Sequence, residues 1–100
     1  MTFANVGTLG TVPGKRDELV ALLTERNESL TEAGCLAYEV GVDADHPDTV
    51  FVVELWVTAE AHRASLALPQ VQSAIARARP LLDGTFGGYR FEVAGSPLRD

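Results

Sequence analysis

The order of elements legible in these 100 residues predicts an α+β protein of the ferredoxin-like kind, βαββαβ, with a four-stranded antiparallel sheet and its helices on one face. Three observations predict it. Four runs, 3–12, 35–42, 50–57 and 86–93, are rich in β-branched, aromatic or alternating apolar residues; two segments, 15–33 and 70–82, carry apolar residues at helical spacing; and glycine, proline or aspartate stands at most of the junctions. A chain of this length buries one core, so a single domain is expected over 1–100, its core about 3–94 and its tail, 95–100, loose.

The first strand, FANVGTLGTV, stops at Pro13-Gly14. Leu19, Leu22, Leu23, Leu30 and Ala33 then recur every three or four residues, which predicts one amphipathic helix over 15–33, with Gly34 at the position that favours a left-handed cap. In 35-CLAYEVGV-42, Leu36, Tyr38, Val40 and Val42 fall on one face, and DADHPDT supplies the turn of a hairpin into 50-VFVVELWV-57. Val50, Val52, Glu54 and Trp56 share one side of that strand; Phe51, Val53, Leu55 and Val57 share the other. Thr58 is placed to cap a short helix reaching about Ala67, Pro69 bends or restarts it, and Pro80 makes its last turn irregular. The last strand, 86-FGGYRFEV-93, follows a break at Asp83-Gly84.

Strands that are apolar on both sides need cover on both sides, whereas helices cover only one face of this sheet. Two sheets packed face to face in a homodimer are therefore expected. With 46% hydrophobic and 22% charged residues the chain is that of an ordinary globular protein. Its net charge of -6 and scattered basic residues exclude a nucleic-acid partner. The longest apolar run, 50-VFVV-53, is far too short for a membrane span, and the N-terminus lacks a signal-peptide pattern, so a cytoplasmic location is expected. A lone cysteine, Cys35, forms no internal disulfide, and with only His46 and His62 beside it no metal site is expected.

Pro13-Gly14 before a helix, GCLAYEV at 34–40, Asp45 and Pro47 in the hairpin, E-x-W at 54–56, and Ala61 and Ala64 ahead of Leu66, Pro69 and Val71 together resemble the antibiotic biosynthesis monooxygenase domain over about residues 3–94. The resemblance implies a dimeric α+β barrel in which each subunit holds a pocket between its sheet and its helices. Relatives of this kind include cofactor-independent oxygenases of polycyclic phenols and quinols, haem-degrading oxygenases, and small proteins without a settled role. Many carry a histidine nine residues after the tryptophan of E-x-W, where this chain has Ser65; His62, one helical turn earlier, can reach a similar place. At the positions corresponding to the Asn, Trp and His of the haem-degrading branch stand Gly7, Ser65 and Ile75, none of which ligates iron, so haem degradation is disfavoured.

Oxygenating an electron-rich phenol without a cofactor needs a base that takes the phenol proton and a dry slot that holds the ring beside molecular oxygen. His62, Asn5 and Trp56 are the candidate catalytic residues, and Tyr38, Ser65 and Tyr89 the candidate substrate contacts. Asparagine is depleted in strands and needs partners when covered, which singles out Asn5. Trp56 is also read as a core indole, Tyr38 and Tyr89 as core or interface aromatics whose hydroxyls reach an edge, His62 as a solvated helix residue, and Glu54 as a structural ion pair with Arg63 or Arg90, a dimer contact, or a partly buried acid with a raised pKa. The expected function is a cofactor-independent monooxygenase acting with O2 on an aromatic quinol or polyketide-like phenol. The alternative is a noncatalytic ligand-binding or dimerisation module of the same fold, which Ser65 favours. His62 and Ser65 lack the elbow and acid of a hydrolase, and Asp43 to Glu54 lacks the glycine of a calcium loop.

Overall fold

The structure, a computed structural model, describes residues 1–99, so the final residue of the tail lies outside them. Its elements are β1 (Phe3–Thr11), α1 (Arg16–Leu23), α2 (Glu28–Glu32), β2 (Cys35–Asp43), β3 (His46–Trp56), α3 (Ala59–Ser65), α4 (Pro69–Ala78) and β4 (Leu82–Glu92), with a 3-10 turn at Arg79–Leu81. The strands form one sheet in the order β2-β3-β1-β4, every neighbouring pair antiparallel, which is the ferredoxin-like arrangement. Leu19 and Leu22 of α1, Ala78 of α4 and Leu81 close over Val50 and Val52 of β3 to make the core. Among the described residues no helix is long and apolar enough to cross a membrane.

Local chemistry explains where the elements depart from expectation. The segment 15–33 is two helices, not one. The Thr24 hydroxyl donates back to the carbonyl of Val20 at 2.8 Å and ends α1, and Asn27 then caps α2 by accepting from the Ser29 amide. Gly34 takes the expected left-handed conformation, φ +104°, after α2. The hairpin turn is shorter than DADHPDT suggests: the Asp43 carboxylate accepts from the Asp45 amide, Asp43 pairs with His46, and β3 starts at His46 rather than Val50. The β2 register shifts near Leu36 and again near Val42, so Tyr38 and Val40 pack on the core while Leu36 and Val42 are exposed. The Asp83-Gly84 break is a bulge inside β4, which begins at Leu82 and not Phe86.

Gly7 and Gly88 face each other in register across β1 and β4. Gly88 has φ +131°, and a Cβ there would lie 2.5 Å from the Cα of Gly7 and closer still to the Val6 carbonyl. Gly88→Ala is therefore expected to destabilise the protein by about 2 kcal/mol, read from urea denaturation; an unchanged midpoint contradicts this packing.

The helix-free face of the sheet carries Val6, Val53, Tyr89 and Phe91, with Val53 50%, Tyr89 78% and Phe91 49% exposed. The expectation that both faces of β3 are covered is met only on the helix side within one chain.

Candidate functional site

Period-two alternation along β3 sends Val50, Val52, Glu54 and Trp56 toward the helices. Glu54 is thus a carboxylate in an otherwise apolar row, 9% exposed. The sheet register sets Asn5 of β1 on one side of it and Tyr38 of β2 on the other. Asn5 Nδ2 donates to Glu54 Oε2 at 2.8 Å, and Trp56 Nε1 donates to Glu54 Oε1 at 3.0 Å. Two charge-assisted hydrogen bonds offset much of the desolvation that an isolated buried carboxylate would suffer.

Two residues separate α3 from β3, and the start of α3 is set by the Thr58 hydroxyl, which accepts from the Ala61 amide at 3.0 Å. This tight hinge lowers His62 onto the Glu54 cluster. The imidazole meets Trp56 edge-on, ring centroids 5.4 Å apart, and lies 5.4 Å from the ring of Phe3. His62 Nε2 is 4.0 Å from Glu54 Oε1, an electrostatic distance rather than a hydrogen bond. The expected pairing of Glu54 with Arg63 or Arg90 does not occur among the described residues; its near partners are Asn5, Trp56 and His62.

Burial holds the His62 pKa below its ordinary value; Glu54 opposes that shift, and Arg90 and Arg63 reinforce it. The resting imidazole is therefore a neutral base at physiological pH. Burial pushes the Tyr38 phenol up to about 12, helped by the Glu54 charge and by Cys35, so Tyr38 stays protonated. Burial, and then Glu54, also raises the Cys35 thiol, whose Sγ donates to the Ala37 carbonyl at 3.3 Å, so it stays protonated at neutral pH.

His62 forms one wall of a cleft of about 250 Å3 whose other walls are Phe3, Ala59, Arg63, Leu66 and Arg90. A second depression, about 230 Å3, lies around Val6, Thr8, Phe51, Val53 and Gly88, and no titratable side chain lines it. Only the first combines a base, cations and apolar walls. Among the described residues no group of three or more His, Cys, Asp or Glu is placed to hold a metal ion.

Three of the residues singled out from the sequence, Asn5, Trp56 and His62, converge here, with Tyr38 flanking them across the strand. Asn5 and Trp56 direct their N-H donors at Glu54. Ser65 is buried on the same helix, but its hydroxyl donates to the His62 carbonyl at 2.6 Å and is engaged within α3. Tyr89 pairs with Val6 on the helix-free face and does not join the cluster. Glu54, the shared acceptor, is missing from the residues picked on sequence grounds, although its place two residues before Trp56 already put both on one side of a strand.

The family described as antibiotic biosynthesis monooxygenase matches residues 2–77 of the chain. Among solved structures, a candidate antibiotic biosynthesis monooxygenase of Chloroflexus aurantiacus is 37% identical, with 96% of each chain covered and a TM-score of 0.83. A protein of Shewanella oneidensis is 27% identical, covering 90% of this chain and 88% of its own, at a TM-score of 0.77. A further candidate of the same description from Deinococcus radiodurans is 26% identical, covering 96% and 95%, at 0.74. A comparison with curated proteins gives no match.

Proposed function

The chain belongs to the antibiotic biosynthesis monooxygenase family, and on that premise we propose that it is a cofactor-independent monooxygenase that oxidises an aromatic quinol or polyketide-like phenol with O2. The observation that carries the reading is a neutral, buried His62 that forms part of the cleft wall while an acid held by two N-H donors stands 4.0 Å behind it. In this reading His62 accepts the phenol proton, which converts the ring into a phenolate and a stronger electron donor to O2. The imidazolium that results faces the Glu54 carboxylate, which stabilises it through a low-dielectric gap. Asn5 and Trp56 position the carboxylate, and Phe3 and Leu66 supply apolar walls for the ring.

No external reductant is required. For an anthrone, the substrate carbon loses two hydrogens and gains one oxygen atom as a carbonyl, and the other oxygen atom leaves as water. All four electrons come from the substrate.

Oxygen uptake with a panel of anthrones and hydroquinones tests the proposal. The wild-type protein is expected to consume O2 well above spontaneous autoxidation, and His62→Ala, Asn5→Ala and Trp56→Phe to lower that rate. Uptake no faster than autoxidation, or uptake indifferent to all three changes, sinks it. The engaged hydroxyl of Ser65, at the position where a histidine is common in similar proteins, favours a second reading, a pocket that binds an aromatic ligand without turning it over. Saturable binding with no uptake is its signature.

The enzyme in this reading is a cytoplasmic homodimer joined through the helix-free face, where Val53, Tyr89 and Phe91 are exposed. Light scattering at low micromolar concentration should give twice the mass of the chain, and Val53→Asp should halve it. A wild-type monomer under those conditions contradicts the assembly.

A further inference from the structure

We infer that the cleft beside His62 takes a hydroxyaryl carboxylate, an aromatic ring whose hydroxyl meets His62 while its carboxylate lies between Arg63 and Arg90. The inference rests on the proposed substrate site and narrows what enters it. Arg63 follows His62 on α3, and Arg90 of β4 stands in register with Asn5; the two come from different elements and line the same cleft. Among the described residues neither has a carboxylate oxygen within 4.0 Å; Lys15, Arg16 and Arg77 each do, and Arg26 and Arg79, which also do not, line neither cleft described above. Glu60 on α3 and Glu92 on β4, the acids nearest to them in sequence, pair with neither.

Glu54 forms no ion pair with either, and its two oxygens accept from Asn5 and Trp56 instead. A chain of net charge -6 thus brings two guanidinium groups without a carboxylate partner to the wall of one otherwise largely apolar cleft. A guanidinium presents a planar fork of donors that matches a carboxylate in a bidentate, charge-assisted pair. Size narrows the ligand as well. At about 250 Å3 the cleft falls just below the range of pockets for drug-sized molecules, which suits two or three fused rings in place of a tetracyclic polyketide.

Isothermal titration at neutral pH with 6-hydroxy-2-naphthoate and its uncharged carboxamide tests this without requiring turnover. Wild-type protein should bind the carboxylate at least about tenfold more tightly. Arg63→Gln and Arg90→Gln should each shrink that ratio, the double variant should remove it, and carboxamide affinity should hold within about twofold throughout. Arg77→Gln, which removes an exposed ion pair with Glu25, should leave the ratio intact. Equal affinity for the two ligands, a preference that survives in the double variant, or no binding of either ligand overturns the inference. A preference for the carboxylate with no oxygen uptake on any substrate removes the monooxygenase reading and leaves the anion site standing. Uptake of uncharged substrates with no preference does the reverse.

Discussion

Glu54→Ala is expected to destabilise the protein by about 3–5 kcal/mol, while Glu54→Gln costs about 1 kcal/mol or less and still lowers oxygen uptake by about tenfold or more. The contrast comes from what each side chain leaves behind. Alanine strips the acceptor from two N-H donors, one on the buried indole of Trp56 and the other on Asn5, and opens a void between β3 and α3. Glutamine keeps an acceptor for Trp56, and the Asn5 amide can turn over to accept from the new amide group, so the hydrogen bonds survive and only the charge is lost. That charge raises the His62 pKa against its burial. Glu54→Gln should therefore move the acid limb of the rate profile to lower pH, which a purely structural carboxylate would not do. Thermal denaturation and a pH series of oxygen uptake on both variants separate these outcomes. Equal destabilisation by the two changes, or an unmoved pH profile in Glu54→Gln, contradicts the role assigned here.

His62→Ala is expected to lower oxygen uptake by about a hundredfold or more, the usual contribution of a positioned general base. In the wild type the rate should climb as His62 loses its proton, with an apparent pKa below 6.5, and level off by neutral pH. The same group links stability to pH. Its pKa is lower in the folded than in the unfolded chain, so between those two values the unfolded state binds more protons and stability rises with pH. The His62 contribution is complete above the unfolded value of 6.5 and is lost as pH falls through the lower native value. Removing the imidazole should flatten both dependences across that window. A wild-type rate that keeps rising above neutral pH would instead point to a base other than His62.

The division of the β3 side chains into two faces could be read from period two alone, because no bulge interrupts 50–56 against β1, but which face meets the helices could not, since six of those seven residues are apolar or aromatic. Thr58 and Gly34 were equally plain, since a cap and a left-handed glycine are local properties of a few residues. What alternation missed depends on partners. The bulge at Leu36 follows from how β2 pairs with β3, and the division of 15–33 rests on Thr24 and Asn27 turning to the backbone, a choice propensity alone does not decide.

The site divides in the same way. Asn5 stood out because a strand asparagine needs a partner, but only the register names that partner as Glu54. Residue type left Tyr89 open as a substrate contact or as a core or interface aromatic, and its pairing with Val6 sets it on the helix-free face. Ser65 sits on the expected helix with its hydroxyl closed onto the His62 carbonyl, an orientation no spacing rule contains. Arg63 and Arg90, weighed as partners for Glu54, proved to be walls of the cleft, because Asn5 and Trp56 already hold the carboxylate.

The central claim, that this pocket inserts oxygen into a phenolic substrate by proton removal at His62, is tested most directly by turnover under oxygen-18 gas. Chelator-treated protein is supplied with an anthrone, and the label in the quinone and the initial rate are measured together. The expected result is one labelled oxygen atom in each quinone, formed well above the autoxidation rate and reduced to near that rate by His62→Ala. Unlabelled quinone, or labelled quinone formed equally fast by His62→Ala and the wild type, contradicts it.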